Sequence, residues 1–184
     1  MAVMSWRYAP SFYEQALAYH NVGADPQERK DIANRLFAIE KQALEEAIRG
    51  APEILFVAGS GNEDNNADFS QYIPAGLELP NLVTAGAVDQ SGTETSFSTF
   101  GRTVKVHANG FEVMSYVPGG EKFKLSGTSM ASPQVANLAA KLFAMKPELT
   151  ATQAKDLILK GAEANGRVNL INPRKTLELA GVRL

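Results

Sequence analysis

Two apolar runs without alternation, Ile54-Leu55-Phe56-Val57-Ala58 and Leu82-Val83-Thr84-Ala85-Gly86-Ala87-Val88, constrain what this chain can fold into more than any other feature. A half-wet antiparallel strand alternates apolar and polar residues. A run with no polar phase belongs to a strand covered on both faces, the condition of a parallel sheet between helices. Candidate helices stand where such a sheet needs them. Residues 11–20 read as a helix with Phe12, Ala16, Leu17 and Tyr19 apolar, broken by Asn21-Val22-Gly23. A stronger helix follows, with Asp25 as N-cap, Pro26 at the first helical position, Glu28 completing a capping box and Gly50 past the end. Its repeat of Ile32, Leu36, Ile39, Ala43, Ala47 and Ile48 assigns one face to a core and leaves Glu40, Lys41, Glu45, Glu46 and Arg49 wet. The stub Val3-Met4-Ser5 precedes both helices, so strand, helix and strand make a βαβ unit and the class is α/β. Directly after the first buried run comes Gly59-Ser60-Gly61-Asn62-Glu63-Asp64. In open α/β sheets, ligand chemistry gathers at that carboxyl edge.

Residues 65–81 form a polar loop with Pro74 and Pro80, too irregular for a crossover helix. From Thr95 the texture changes to short alternating segments at 104–108, 112–117 and 122–125, with Pro118-Gly119-Gly120 turning the last two into a hairpin. In the first of these, Val104, Val106 and Ala108 share one side, which predicts that Lys105 and His107 face solvent. Next, Leu125-Ser126-Gly127-Thr128-Ser129-Met130-Ala131-Ser132-Pro133 runs into an apolar helical segment at 130–145. Ala131, Val135, Ala136, Leu138, Ala139, Ala140, Leu142, Phe143 and Ala144 cover nearly every face of it, the pattern of a helix buried all round. Pro133 fits near a helix start, where a missing N–H costs little. Pro147 ends the segment, Thr150 and Gln153 form a capping box for an amphipathic helix through Leu157, Ile158 and Leu159, and a last helix has Asn172 as cap, Pro173 at its start and Gly181 after its end.

Composition excludes several function classes. At 184 residues with 45% apolar side chains, the chain is long enough to bury a core as one domain. A net charge of −2 without basic runs gives no electrostatic case for nucleic acid or an anionic membrane as partner. No apolar run approaches membrane-spanning length, and the amino terminus has neither a basic n-region nor a long apolar h-region, so a soluble chain without a signal is expected. With no cysteine there is no disulfide framework, and the compartment stays open.

The junction at Ser129 carries the chemistry. A serine in the first turn of a helix has its hydroxyl beside N–H groups without intrahelical partners, at the positive end of the helix dipole. Gly127, with no Cβ, lets a substrate backbone approach. An ordinary capping serine before a core helix shows the same local pattern. The wording of the motif separates the two: Gly127-Thr128-Ser129-Met130-Ala131-Ser132-Pro133, followed by Val135-Ala136, resembles the nucleophile motif of the subtilisin-like serine endopeptidases, the subtilases or peptidase S8 family. Val57 to Glu63 resembles that family's strand ending in an oxyanion-hole asparagine, and Tyr72-Ile73-Pro74-Ala75, residues 81–89, Phe97-Ser98-Thr99-Phe100-Gly101 and Ala108-Asn109-Gly110 resemble the segments that follow in the same order. Met4-Ser5 resembles the strand whose end lines the substrate cleft. The likeness covers roughly residues 3–180 and corresponds to the carboxyl-terminal part of the catalytic domain.

What the resemblance implies is a partial three-layer subtilisin-like fold, with a mostly parallel buried sheet, flanking helices and a β-hairpin region. It implies Ser129 as nucleophile, Asn62 paired with the Ser129 backbone N–H around an oxyanion, and Ser5, Trp6, Arg7, Ser60 and Gly61 in the cleft for a peptide or protein substrate. No cofactor enters the family's chemistry, and some members hold structural calcium. Three departures stand out: Arg7-Tyr8 in place of two usual glycines, Gln134 and Asn137 in place of a histidine and a glycine, and the helix between Phe12 and Gly23, without counterpart in shorter members.

A serine hydroxyl needs a hydrogen-bonded base, normally histidine oriented by a carboxylate. In this family the order is aspartate, histidine, serine, and neither the Asp-Ser/Thr-Gly nor the His-Gly-Thr-His motif occurs in residues 1–184. His20 lies at a helix end and His107 in an alternating strand, and neither matches the family's histidine. Lys122 and Lys124 could serve as base in another class of hydrolase, but they read as exposed positions of a hairpin. The chain alone is therefore expected to be nearly inactive. The rival is a non-catalytic binding or assembly module on the protease scaffold. Either way, loss of the preceding strands predicts an unpaired sheet edge at Val3-Met4-Ser5, and with it self-association or pairing with the missing amino-terminal part. A phosphate-loop reading of Gly59-Ser60-Gly61 fails at Asp64, with no helix start behind it. An EF-hand reading from Asp64 through Asp68 fails at Phe69 and Ala75.

Overall fold

The computed structural model describes residues 1–66 and 71–183. Positions 67–70, which include Asp68 and Phe69 of the EF-hand comparison, lie outside the described residues. In chain order the elements are β1 (Ala2–Met4), α1 (Pro10–Tyr19), α2 (Pro26–Arg49), β2 (Phe56–Gly59), β3 (Leu82–Val88), β4 (Val104–Asn109), β5 (Val113–Tyr116), β6 (Lys122–Leu125), α3 (Thr128–Met145), α4 (Ala151–Gly161), β7 (Glu163–Asn165), β8 (Val168–Leu170) and α5 (Pro173–Leu179). A six-stranded sheet runs β1-β2-β3-β4-β8-β7, parallel except for β7, while β5 and β6 form a separate antiparallel hairpin.

The two apolar runs lie in the middle of this sheet, and every residue of β3 is buried. Period-2 alternation sends neighbours to opposite layers. Val57 and Val83 join a core with Val135, Leu138 and Leu142 of α3 and Ile158 of α4, whereas Ala58 and Leu82 join one with Met4 and with Phe37 and Ile48 of α2. Helices therefore cover both faces, giving three layers. Both designed-looking helix starts form: Asp25 accepts the Glu28 N–H at 2.9 Å, and Thr150 and Gln153 exchange bonds at 3.2 and 2.8 Å. Glu28 reaches back to the N–H of Ala24, one residue before the cap.

Four expectations need correction. The buried row of α2 is Ala33, Phe37 and Ile48, with Leu44 against them, so Leu36 and Ile39 face outward. Phe37 decides the rotation: its ring, the bulkiest apolar group of the helix, takes the core position and meets Tyr13 of α1 at 6.5 Å between centroids. Helix α3 begins at Thr128 and is not buried all round, since Pro133, Asn137, Lys141 and Ala144 form one exposed stripe. His107 is buried, at 2% exposure. Its strand lies between β3 and β8 rather than in a half-wet hairpin, so alternation there selects between two covered faces. The imidazole packs on Gly86, where a Cβ would come within 2.7 Å of it, and Nδ1 accepts the Asn169 N–H at 3.1 Å. Strands β7 and β8 were not expected at all.

Candidate active site

The carboxyl ends of β1 and β2 and the amino end of α3 converge on an open cleft of about 90 Å³, lined by Ser5, Trp6, Arg7, Gly59, Gly61, Asn62, Thr128 and Ser129. Three segments far apart in sequence meet because parallel strands all end on one edge of the sheet, and α3 starts at that edge.

Asn62 is fixed through its oxygen. Oδ1 accepts the Thr128 backbone N–H at 2.9 Å and the Thr128 hydroxyl at 3.1 Å, and Thr128 Oγ1 in turn accepts the Gly61 N–H at 3.1 Å. The amide nitrogen is thereby left pointing to the approach beside Gly127, where a Cβ would stand 3.2 Å from Nδ2. Gly127 has φ of +155°, a conformation that L side chains rarely adopt, so this position requires glycine on two counts. In the first turn of α3 the Thr128 N–H goes to Asn62 and the Met130 N–H to the Gly127 carbonyl, while the Ser129 N–H between them has no hydrogen-bond acceptor among the described residues. Two free donors, Asn62 Nδ2 and Ser129 N–H, thus belong to residues that line one cleft with the Ser129 hydroxyl.

Ser129 itself is tied to β1. Ser5 Oγ donates to the Ser129 carbonyl at 3.2 Å and shares a bond with Ser132 Oγ at 2.9 Å, and the Ser129 hydroxyl lies 3.5 Å from the Ser5 carbonyl. Pro133 explains why that carbonyl is available: it stands four residues on and has no N–H to return to Ser129. A proline inside the helix, the sixth residue of α3, therefore serves the cleft rather than the boundary. No base reaches the serine hydroxyl among the described residues. His20 and His107 do not line the cleft, Lys122 lies over the Tyr116 ring at 4.8 Å, and Lys124 pairs with Glu112 at 3.2 Å.

Of the other residues expected in the cleft, Ser5, Trp6, Arg7 and Gly61 line it. Ser60 does not: its side chain is fully buried and its backbone N–H bonds to Ala85. Alternation accounts for this, since Gly59 and Gly61 on either side face the cleft. Arg7 pairs with Glu63, and its guanidinium faces the Tyr72 ring at 5.1 Å and the Phe12 ring at 5.5 Å. Thr128 also lines the cleft, and Glu63 and Ser132 bond residues that do; the motifs alone single out none of the three, although a hydroxyl residue directly before and three after the serine is a visible signal. No group of three or more His, Cys, Asp or Glu placed to hold a metal ion occurs among the described residues.

The Subtilase family model matches residues 7–176. Subtilisin BL of Lederbergia lenta is 36% identical over 129 residues, 69% of this chain and 46% of that protein. The cell wall-associated protease of Bacillus subtilis is 34% identical over 110 residues, 60% of this chain and 12% of that protein. A solved cold adapted subtilisin-like serine proteinase matches with a TM-score of 0.62 and 31% identity, over 71% of this chain and 48% of that one. The chain thus spans less than half the length of these relatives. Because the family match runs through both the Asn62 loop and the Ser129 helix, the chain belongs to the subtilase family.

Proposed function

We propose that residues 1–184 are the carboxyl-terminal part of the catalytic domain of a serine endopeptidase, carrying the nucleophile and the oxyanion hole while aspartate and histidine come from an amino-terminal part. One observation carries this reading: Thr128 holds Asn62 by its oxygen, so that the Asn62 amide and the Ser129 N–H are both free in the cleft that Ser129 lines. Donors fixed before the reaction cost no reorganisation as charge develops on the oxygen of a tetrahedral intermediate. Ser129 Oγ attacks the peptide carbonyl and its proton passes to the histidine; the amine leaves with that proton, and water hydrolyses the acyl-serine. Ser5, Trp6, Arg7 and Gly61 hold the peptide. The scheme uses protein groups alone, and calcium has no assigned ligands in it.

Because no base reaches Ser129, this chain by itself turns over slowly if at all, and that same observation favours the second reading, a binding or assembly module. A fluorophosphonate that labels hydroxyl nucleophiles, read by intact mass on this chain and on the longest protein containing it, separates the two. The peptidase reading expects labelling at Ser129 in the longer protein only. Labelling in neither supports the module, and rapid labelling of the short chain overturns both. In the longer protein, Asn62→Leu should slow hydrolysis about 10²- to 10³-fold, the loss known in subtilisin itself for removing this kind of donor.

A further inference from the structure

We propose that Arg7 sets the side-chain selectivity of the cleft: by pairing with Glu63 it cancels the carboxylate beside the cleft and excludes peptides that would place a basic side chain there. This rests on the reading of the cleft as a peptide site. Arg7 is the charged residue among those lining the cleft, and its side chain and that of Glu63 are each 27% exposed, so the pair is partly withdrawn from water. Both partners are held from other sides. Glu63 accepts the Asn62 N–H at 3.0 Å and the Thr99 hydroxyl at 3.5 Å through Oε2, leaving Oε1 to the guanidinium. The Arg7 guanidinium faces the rings of both Tyr72 and Phe12.

The carboxylate is also close to where a substrate would lie, with Oε2 2.8 Å from the position of a Cβ on Gly61, a cleft residue. The cleft that holds Asn62 and Ser129 is bounded by Ser5, Trp6 and Arg7 on one side and by Gly59, Gly61 and Asn62 on the other, and we place there the side chain of the residue whose carbonyl is attacked. A lysine or arginine entering there meets a guanidinium in place of a free carboxylate, and like charges set side by side at an interface cost binding. Arg7 acts as a resident basic side chain of the chain's own. Removing it frees Glu63 to receive one from the peptide. Neutralising Glu63 instead leaves the guanidinium free, and the cleft then recruits an acidic side chain.

The test measures binding, so it needs no base. Acetyl-Ala-Ala-X-Ala-amide peptides with X as norleucine, lysine or glutamate are titrated into the ¹⁵N-labelled chain, following the amides of Gly61, Asn62 and Ser129. The intact chain should prefer norleucine to lysine by about tenfold. Arg7→Gly should reverse that order, and Glu63→Gln should put glutamate first. An unchanged lysine-to-norleucine ratio in Arg7→Gly overturns the proposal, as does equal binding of lysine and norleucine by the intact chain. Should Arg7→Gly not fold, Glu63→Gln decides, because its glutamine still accepts the Asn62 N–H. If no peptide perturbs the three amides in any variant, the peptide-site reading itself falls and takes this inference with it.

Discussion

At Gly127 one hydrogen atom decides whether the Asn62 amide nitrogen stays open to the cleft. Alanine there would meet Asn62 Nδ2 at 3.2 Å from a backbone with φ of +155°. Gly127→Ala should therefore lower stability by about 1–3 kcal/mol in urea unfolding and displace the Asn62 amide resonance. His107 makes a prediction of a different kind. Burial holds its pKa below the ordinary value of 6.5, against the pull of Glu94, and Arg167 adds to the lowering. Nδ1 accepts the Asn169 N–H, so a proton there would break that bond. The unfolded chain thus binds this proton more readily than the folded one. Its contribution is complete above about pH 6.5 and is lost as the pH falls from there through the folded pKa. Urea midpoints should drop from pH 7 to pH 5, and the His107 ring resonances should titrate below 6.5; titration above that value would sink the assignment. Ser129 and Asn62 could be singled out in the sequence because their motifs are local, and the structure brings both to one cleft. The Thr128 contact that orients Asn62 could not, since it spans 66 positions and exists only once β2 and α3 are packed.

Helix α3 shows how an element can be built against its own propensity. A proline at the sixth position removes an intrahelical bond, and the carbonyl it frees is the one that Ser5 ties to β1. Pro133→Ala would restore an N–H to compete for the Ser129 carbonyl. We expect the helix to gain about 1 kcal/mol while the Ser5 tether loosens, seen as a higher urea midpoint with faster exchange of amides in β1. At α4, Thr150→Ala removes half of a reciprocal cap and should cost about 1 kcal/mol. The elements were legible where periodicity or caps were strong: the buried strands, the starts of α2 and α4, and the β5–β6 hairpin all lie where their residues put them. The phase of α2 was not, because apolar residues fall in two adjacent rows and packing of Phe37 against Tyr13 selects one. Strands β7 and β8, Glu163–Asn165 and Val168–Leu170, are three residues each and partly polar. They are strands because β4 offers His107 an edge partner, with the Ile171 N–H on the His107 carbonyl at 2.9 Å, and no local pattern announces that.

For the molecule as a whole, the two ends of the sheet are unlike. At one end β7 is polar and exposed along its length, a poor template for further strands. At the other, β1 pairs among the described residues with β2 on one side only, and its neighbourhood is apolar: Val3 is 42% exposed, and Trp6, Tyr8 and Phe12 follow it with comparable exposure. A parallel sheet is ordinarily covered, and an open edge flanked by aromatic rings loses water favourably when another strand or surface arrives. In the proposed peptidase that partner is the amino-terminal part. For residues 1–184 alone, we expect a second copy to take its place. Light scattering should then show a mass that rises with concentration. Val3→Lys places a charge on the edge strand, which deters pairing without altering the Ala2 and Met4 registers with β2, and should return the protein to a monomer. A wild-type chain that stays monomeric at high concentration would mean that β1 protects its own edge. If association persists in Val3→Lys, the contact lies elsewhere, and the outward Leu36 and Ile39 of α2 would be the next residues to change.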